Sequence, residues 1–401
     1  MTALRTALPF AFLFASVATA EEPARRWGLP VEIFETEGNK GPVPVELVRT
    51  ASGACGVFVF SKSDGLKLYW SKDGLAPWKP LSMPFGLAGD ARVDGERVEI
   101  VISDFKADSA AFVAFDFRNG QELERHELPG SLPSLPMFSN VVGSGKDRFV
   151  LVGCEKGEAM VYASGDGGVT WKGPVQAAAC SVRDDAVAAP LFLGSDGLHV
   201  VAVVNRGEIR HAVSADRGET WSDGAAITLP EKYGPPVHAA GAQSGRNFHV
   251  VFLTLIGDYV HVGSDNEGKT WGKPVVVARG KGVNDLARIF HVDAEGSAVA
   301  FCVSESGKSK MYAKKARVYL SGDGGMSWVR TPVGKGVSGD SGRAAIFLGD
   351  GGEAWATVAV SPGEGIEGSH YVLFRRLLPA GAAPEELPEG APAPPWWGDE
   401  K

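Results

Sequence analysis

Cysteine and histidine are scarce in this chain, with four and eight copies in 401 residues. The histidines His126, His199, His211, His238, His249, His261, His291 and His370 are scattered, and several fall inside strand-like runs. No cluster with metal-ligand spacing is visible, so neither a metal nor a cofactor is expected. Phosphate-loop, dinucleotide-fingerprint and nucleophile-elbow patterns are also missing. Basic residues do not dominate: 40 Lys and Arg stand against 48 Asp and Glu, a net charge of -8. That balance argues against nucleic-acid binding through a basic face. The one long apolar stretch, Ala7–Val17, is too short to span a bilayer.

What that stretch does fit is an export signal. Arg5 supplies the positive start, and Ala18-Thr19-Ala20 is a small-residue cleavage site before Glu21. Residues 1–20 therefore read as a signal peptide, and the mature protein is expected to be secreted or periplasmic, without membrane insertion. At the other end, residues 379–401 hold six prolines among Ala, Glu and Gly and read as a disordered tail, with Trp396 and Trp397 near its close. Between them, residues 21–378 form one repetitive domain.

Its organising feature is an octapeptide. Ser164-Gly165-Asp166-Gly167-Gly168-Val169-Thr170-Trp171 recurs from Ser214, Ser264 and Ser321, at spacings of 50, 50 and 57 residues. Asp216 and Trp221, Asn266 and Trp271, and Asp323 and Trp328 take the places of Asp166 and Trp171. A worn copy carries Asp73 and Trp78. Each copy lies between strand-like runs and reads as a hairpin connection. The Asp accepts hydrogen bonds from turn amides two or three residues on. The fifth-position Gly supplies a positive φ. The Trp pins the hairpin to its own sheet.

A period near 50 residues with strands inside it indicates propeller blades. Strongly apolar runs such as Phe149–Val152, His199–Val204 and His249–Leu253 suit strands buried on both faces between neighbouring blades. Seven such runs favour an all-β propeller of seven four-stranded antiparallel blades, with six as the alternative. A strand near Val31–Phe34 would complete the last blade and close the ring.

The octapeptide resembles the Asp-box, or bacterial neuraminidase repeat, of the sialidase superfamily. The resemblance implies a structural role for the boxes, on the face opposite the active site. It also implies a Tyr nucleophile with a Glu partner, an Asp acid/base and three Arg clasping a sugar carboxylate. The first of those Arg sits in an Arg-Ile-Pro signature, which this chain lacks; only Arg49 lies nearby. Six of the seven Tyr fall in or beside third strands, leaving Tyr233, two residues after Glu231. No catalytic residue is carried over.

Ligand-binding candidates are drawn from the face of the loops joining second to third strands and of the blade connections. They are Arg183, Asp184, Asp185, Tyr233, Asp285, Arg288, Asp340 and Arg343. Cys154 and Cys180 fall on that same face in adjacent blades, so a disulfide between them is expected. Cys55 and Cys302 fall in non-adjacent blades and are expected as buried free thiols. The leading expectation is a monomeric, exported, non-catalytic module recognising a glycan or a protein. A divergent exo-glycosidase of the sialidase type and an envelope assembly or scaffold factor are the alternatives.

Overall fold

The computed structural model describes residues 31–36, 43–61, 65–75, 77–83, 87–104, 109–134, 136–154, 156–179, 189–204, 207–279, 290–292, 298–306, 314–332, 344–349, 353–360 and 369–377. The fold is all-β, a propeller of four-stranded antiparallel blades. Five sheets consist of four consecutive strands each. The first runs through Val43–Arg49, Cys55–Ser61, Gly65–Ser71 and Lys79–Ser82. The third runs through Pro136–Ser144, Asp147–Cys154, Glu158–Ser164 and Lys172–Ala179. The fourth, fifth and sixth begin at Leu191–Gly194, Pro236–Ser244 and Phe290–Val292.

Two further sheets break that form. In the second, Leu87–Ala88 and Arg92–Asp94 both pair with Arg97–Asp104, giving five strands. The closing sheet joins Ala344–Gly349, Glu353–Val360 and Ser369–Leu377 to the N-terminal Val31–Thr36. Val31 faces Leu373 and Thr36 faces Ser369, the pairing that the sequence suggested for the chain's first strand. The Arg49 guanidinium lies 4.7 Å from the Trp355 ring centroid and joins the first sheet to the closing one. Seven identical blades, or six, are thus corrected to five regular blades and two composite sheets.

The core is a series of layers between sheets. Phe58, Trp70, Val98, Phe115 and Phe117 fill the space between the first and second sheets. Phe192, Val201, Phe248 and Val250 do so between the fourth and fifth. Val150, Leu151, Val200 and Val250 are wholly or almost wholly buried, because a second strand has a neighbouring blade on both faces. Burying one such side chain contributes about 1.5–3 kcal/mol.

The octapeptide turns are built alike. Ser164 Oγ donates to Asp166 Oδ1 at 2.8 Å and accepts from the Gly168 N–H at 2.9 Å. Asp166 accepts from the Thr170 N–H at 2.9 Å and from its hydroxyl at 2.6 Å. The Asp thus accepts from the amide three residues on, as expected, and also from the residue four on. These bonds hold the Asp166 and Asp216 carboxyls down at about 2, the Thr hydroxyl being the largest cause. Gly168, Gly218, Gly268 and Gly325 have φ of 99°, 89°, 76° and 87°, as the turn chemistry required.

The Trp rings also reach beyond their own sheet. Trp171, Trp271 and Trp328 pack on Phe112, His211 and His261 of the preceding blade, with centroids 5.2, 5.4 and 5.3 Å apart. Each turn thus fastens its blade to its neighbour.

Candidate functional site

The innermost strands run beside a central cavity of about 910 Å³. Five sheets line it, through Glu46, the segment Asp90–Arg92, Asn140–Ser144, Leu191–Gly194 and Gly241–Gln243. At one end lie the turns between first and second strands, bearing Asp147, Asp196 and Arg246, and the octapeptide residues Arg217 and Glu267. The cavity thus reaches the octapeptide face, whereas the sequence candidates were placed on the opposite one.

Two latches shape this mouth. The fourth octapeptide position takes a positive φ in four copies, as Gly167, Arg217, Glu267 and Gly324. In two of them it carries a side chain that crosses to the preceding blade. Arg217 donates to Asp147 Oδ1 at 2.7 Å and to the Ser164 carbonyl at 3.0 Å, with its guanidinium over Phe149. Glu267 accepts from the Ser195 hydroxyl at 2.5 Å, which holds its carboxyl below the usual range. Gln243 zips two innermost strands together, accepting from the Leu193 N–H and donating to the Leu193 carbonyl. Arg246 is exposed beside them.

Beside the mouth, Glu99 is completely buried and ringed by three arginines. Its Oε2 accepts from Arg92 at 2.9 Å and from Arg148 at 2.7 Å, and its Oε1 from Arg97 at 2.7 Å. Arg97 also pairs with Glu124. Three positive charges around one carboxylate, with Glu124 and Asp94 outside them, balance the cluster locally.

Two histidine pairs occupy the corresponding place in later blades. His199 Nδ1 lies 3.1 Å from His211 Nε2, and His249 Nδ1 lies 3.1 Å from His261 Nε2. All four rings are buried. Burial first, and the partner ring with it, lowers His211 to about 4 and His261 to about 3. Sequence reading took these as unrelated core or surface residues. The signal was there: both pairs are spaced by 12 residues and sit 50 residues apart.

Of the sequence candidates, Tyr233 is described, and it is 7% exposed in the short helix Glu231–Tyr233. The Lys232 ammonium lies 4.9 Å from its ring centroid. Tyr233 thus packs within its turn. Arg183, Asp184, Asp185, Asp285, Arg288, Asp340 and Arg343 lie outside the described residues, as do the signal segment 1–20 and the tail 379–401. Cys154 is a buried free thiol pushed up to about 12 by burial, with the nearby Glu158 adding to the rise. The expected partner in a disulfide, Cys180, lies outside the described residues. Cys55 is buried, as expected, and its Sγ lies 3.4 Å from the Gly53 carbonyl oxygen. Among the described residues no three His, Cys, Asp or Glu side chains gather as a metal site, and no helix is long and apolar enough to cross a membrane.

No protein-family model matches the sequence, and no curated protein does. Solved structures share the fold. A lectin from Burkholderia pseudomallei superposes with a TM-score of 0.56 at 12% identity, over 82% of this chain and 94% of the lectin. A polysaccharide lyase gives 0.53 at 9% identity, over 89% of this chain and all of the lyase. The phage phi92 endosialidase gives 0.50 at 10% identity, over 90% of this chain and 71% of that one.

Proposed function

We propose that this propeller is an exported, non-catalytic module that recognises a glycan at the mouth of its central channel. The observation carrying the reading is the cavity rim. Asp147, Asp196, Arg217, Arg246 and Glu267 place carboxylates and guanidinium groups around an opening of about 910 Å³. Charged donors and acceptors set side by side match the hydroxyls of a sugar, and the inter-blade latches fix them before a ligand arrives. The likeness to a propeller lectin supports the same class of ligand.

Finer features belong to this proposal. The octapeptides act as Asp-boxes, the propeller is monomeric, and cleavage after Ala20 releases the mature chain. The test is a glycan array probed with the mature protein, repeated with Arg246→Ala, whose exposed side chain is the least embedded in the fold. Saturable binding weakened by that substitution is expected. Binding to no glycan, or binding indifferent to Arg246, would overturn the reading.

A divergent exo-glycosidase is the second reading, favoured by the raised carboxyl of Glu46 inside the channel. The neighbouring lyase and endosialidase show that this fold also hosts enzymes acting on glycans. Turnover of a fluorogenic glycoside, abolished by Glu46→Gln, would establish it in place of the first.

A further inference from the structure

We propose that Asp196, His199 and His211 form a proton-operated latch at the mouth of the channel, which holds Asp196 when the histidine pair takes up a proton and frees it for a sugar hydroxyl when that proton leaves. Its ligand rests on the glycan reading; its proton chemistry does not. Asp196 lines the mouth, in the turn between the first two strands of the fourth sheet. His199 and His211 stand on that sheet's second and third strands. Three contacts run in a chain. Asp196 Oδ1 lies 3.0 Å from His199 Nε2, His199 Nδ1 lies 3.1 Å from His211 Nε2, and His211 Nδ1 lies 3.1 Å from the Ala225 carbonyl oxygen. A Cβ on Gly194 would lie 2.8 Å from His199 Nε2 and 2.9 Å from Asp196 Oδ1, so glycine leaves room for the first contact.

Protons are short in this chain. Partial burial works against ionisation of Asp196, yet the His199 hydrogen bond and charge hold its carboxyl below the usual range, so it is a carboxylate. A carboxylate and a carbonyl oxygen only accept, so each outer ring nitrogen must carry a proton. The two inner nitrogens need one more between them. Three contacts thus require three protons, and two neutral imidazoles bring two. With a third proton His199 donates through both nitrogens, to Asp196 and to His211, and His211 donates to Ala225. Burial first, and the charge on His199 with it, lowers His211 to about 4, which keeps the third proton on His199.

Without that proton one contact must go. The ring-to-ring and Ala225 contacts lie inside the blade, and breaking either would strand a polar atom away from water. The Asp196 side chain is 42% exposed, against 2% for His199, so Asp196 turns away at least cost and a water molecule can donate to His199 Nε2 in its place. The freed carboxylate then accepts from a ligand at the mouth. Among the described residues, the other charged groups beside the latch are Glu267 and Lys269 of the next octapeptide, which pair with each other at 3.4 Å. Phe248 and Trp271 pack against the two rings. In the next blade Arg246, which cannot accept, stands in the place of Asp196, so the latch is not a requirement of the fold.

The experiment is nitrogen NMR of the full chain carrying isotope-labelled histidine, from about pH 8 to about pH 5, the range in which histidine charge changes. The ring nitrogen shifts report which atoms carry protons. As pH falls, His199 should pass from one protonated nitrogen to two, while His211 stays protonated at Nδ1 only. Asp196→Asn, whose amide can donate to His199 Nε2, should let two ring protons meet all three contacts and abolish proton uptake by His199 across that range. A His199 that gains no proton in the wild type overturns the proposal, and so does uptake that Asp196→Asn leaves unchanged. A glycan found on the array should bind about tenfold more weakly at the acid end, the worth of one charge-assisted hydrogen bond, and equally at both ends in Asp196→Asn. Equal binding at both ends in the wild type overturns the release of Asp196 to the ligand. If no glycan binds, the channel reading fails while the NMR result still decides the latch.

Discussion

Acid should unfold this protein through its histidine pairs before its carboxylates are touched. His211 and His261 carry folded values of about 4 and about 3, against an ordinary value of 6.5. A lowered histidine means that the folded state binds fewer protons than the unfolded one. Their contribution is fully present above pH 6.5 and is lost as pH falls toward the folded values. Each group then costs about 1.4 kcal/mol per pH unit. Between pH 6.5 and pH 4 the two together remove about 7 kcal/mol, comparable with the whole stability of many domains. Asp166 and Asp216, at about 2, lose their contribution only below about pH 4, so they do not obscure this window. The assay is urea unfolding followed by Trp fluorescence at half-unit steps from pH 7.5 to 4.5. The third sheet supplies the controls, because Phe149 and Val161 hold the places of His199 and His211. His199→Phe with His211→Val should remain folded and lose about half of the pH dependence. Parallel curves for wild type and variant would mean that the histidines do not set the acid limit.

Glu99→Gln should destabilise by about 3–5 kcal/mol, since it leaves three arginines around a neutral group; urea midpoints at constant slope would show it. Arg217→Gly should change stability by less than about 1 kcal/mol, because an exposed ion pair is lost while a φ of 65° is relieved. Gly168→Ala should cost more than about 1 kcal/mol: its φ is 99°, and the new Cβ would lie 2.5 Å from Phe112 Cε1. Cys154 should resist a thiol reagent in the native state and react at the rate of unfolding, with unreduced peptide mapping showing it unpaired.

Local features were legible in the chain itself. The octapeptides fix their turns because Ser, Asp, Gly and Thr within eight residues satisfy one another's hydrogen bonds, needing nothing from elsewhere. The apolar second strands announced burial on both faces. Likewise, Val31–Phe34 was recognisable as a spare strand, since the last unit lacked its fourth; the strand runs on to Thr36. The Trp partners were not legible: Trp171 lies 59 residues from Phe112 in the sequence, and only blade order brings the rings together.

The same holds for the site. Sequence reading favoured loops on one face because charged residues cluster there, but clustering along the chain says nothing about convergence in space. Glu46 and Glu99 each stand alone between apolar residues in the chain. Blade packing places the first beside Asp90 and Asn140, and encircles the second with Arg92, Arg97 and Arg148. The repeat, its turns and its strands are readable from the chain alone, because they depend on contacts a few residues apart. Blade order decides which turn packs on which histidine and which arginine reaches which carboxylate, because neighbouring blades bring together residues that the chain holds about 50 positions apart.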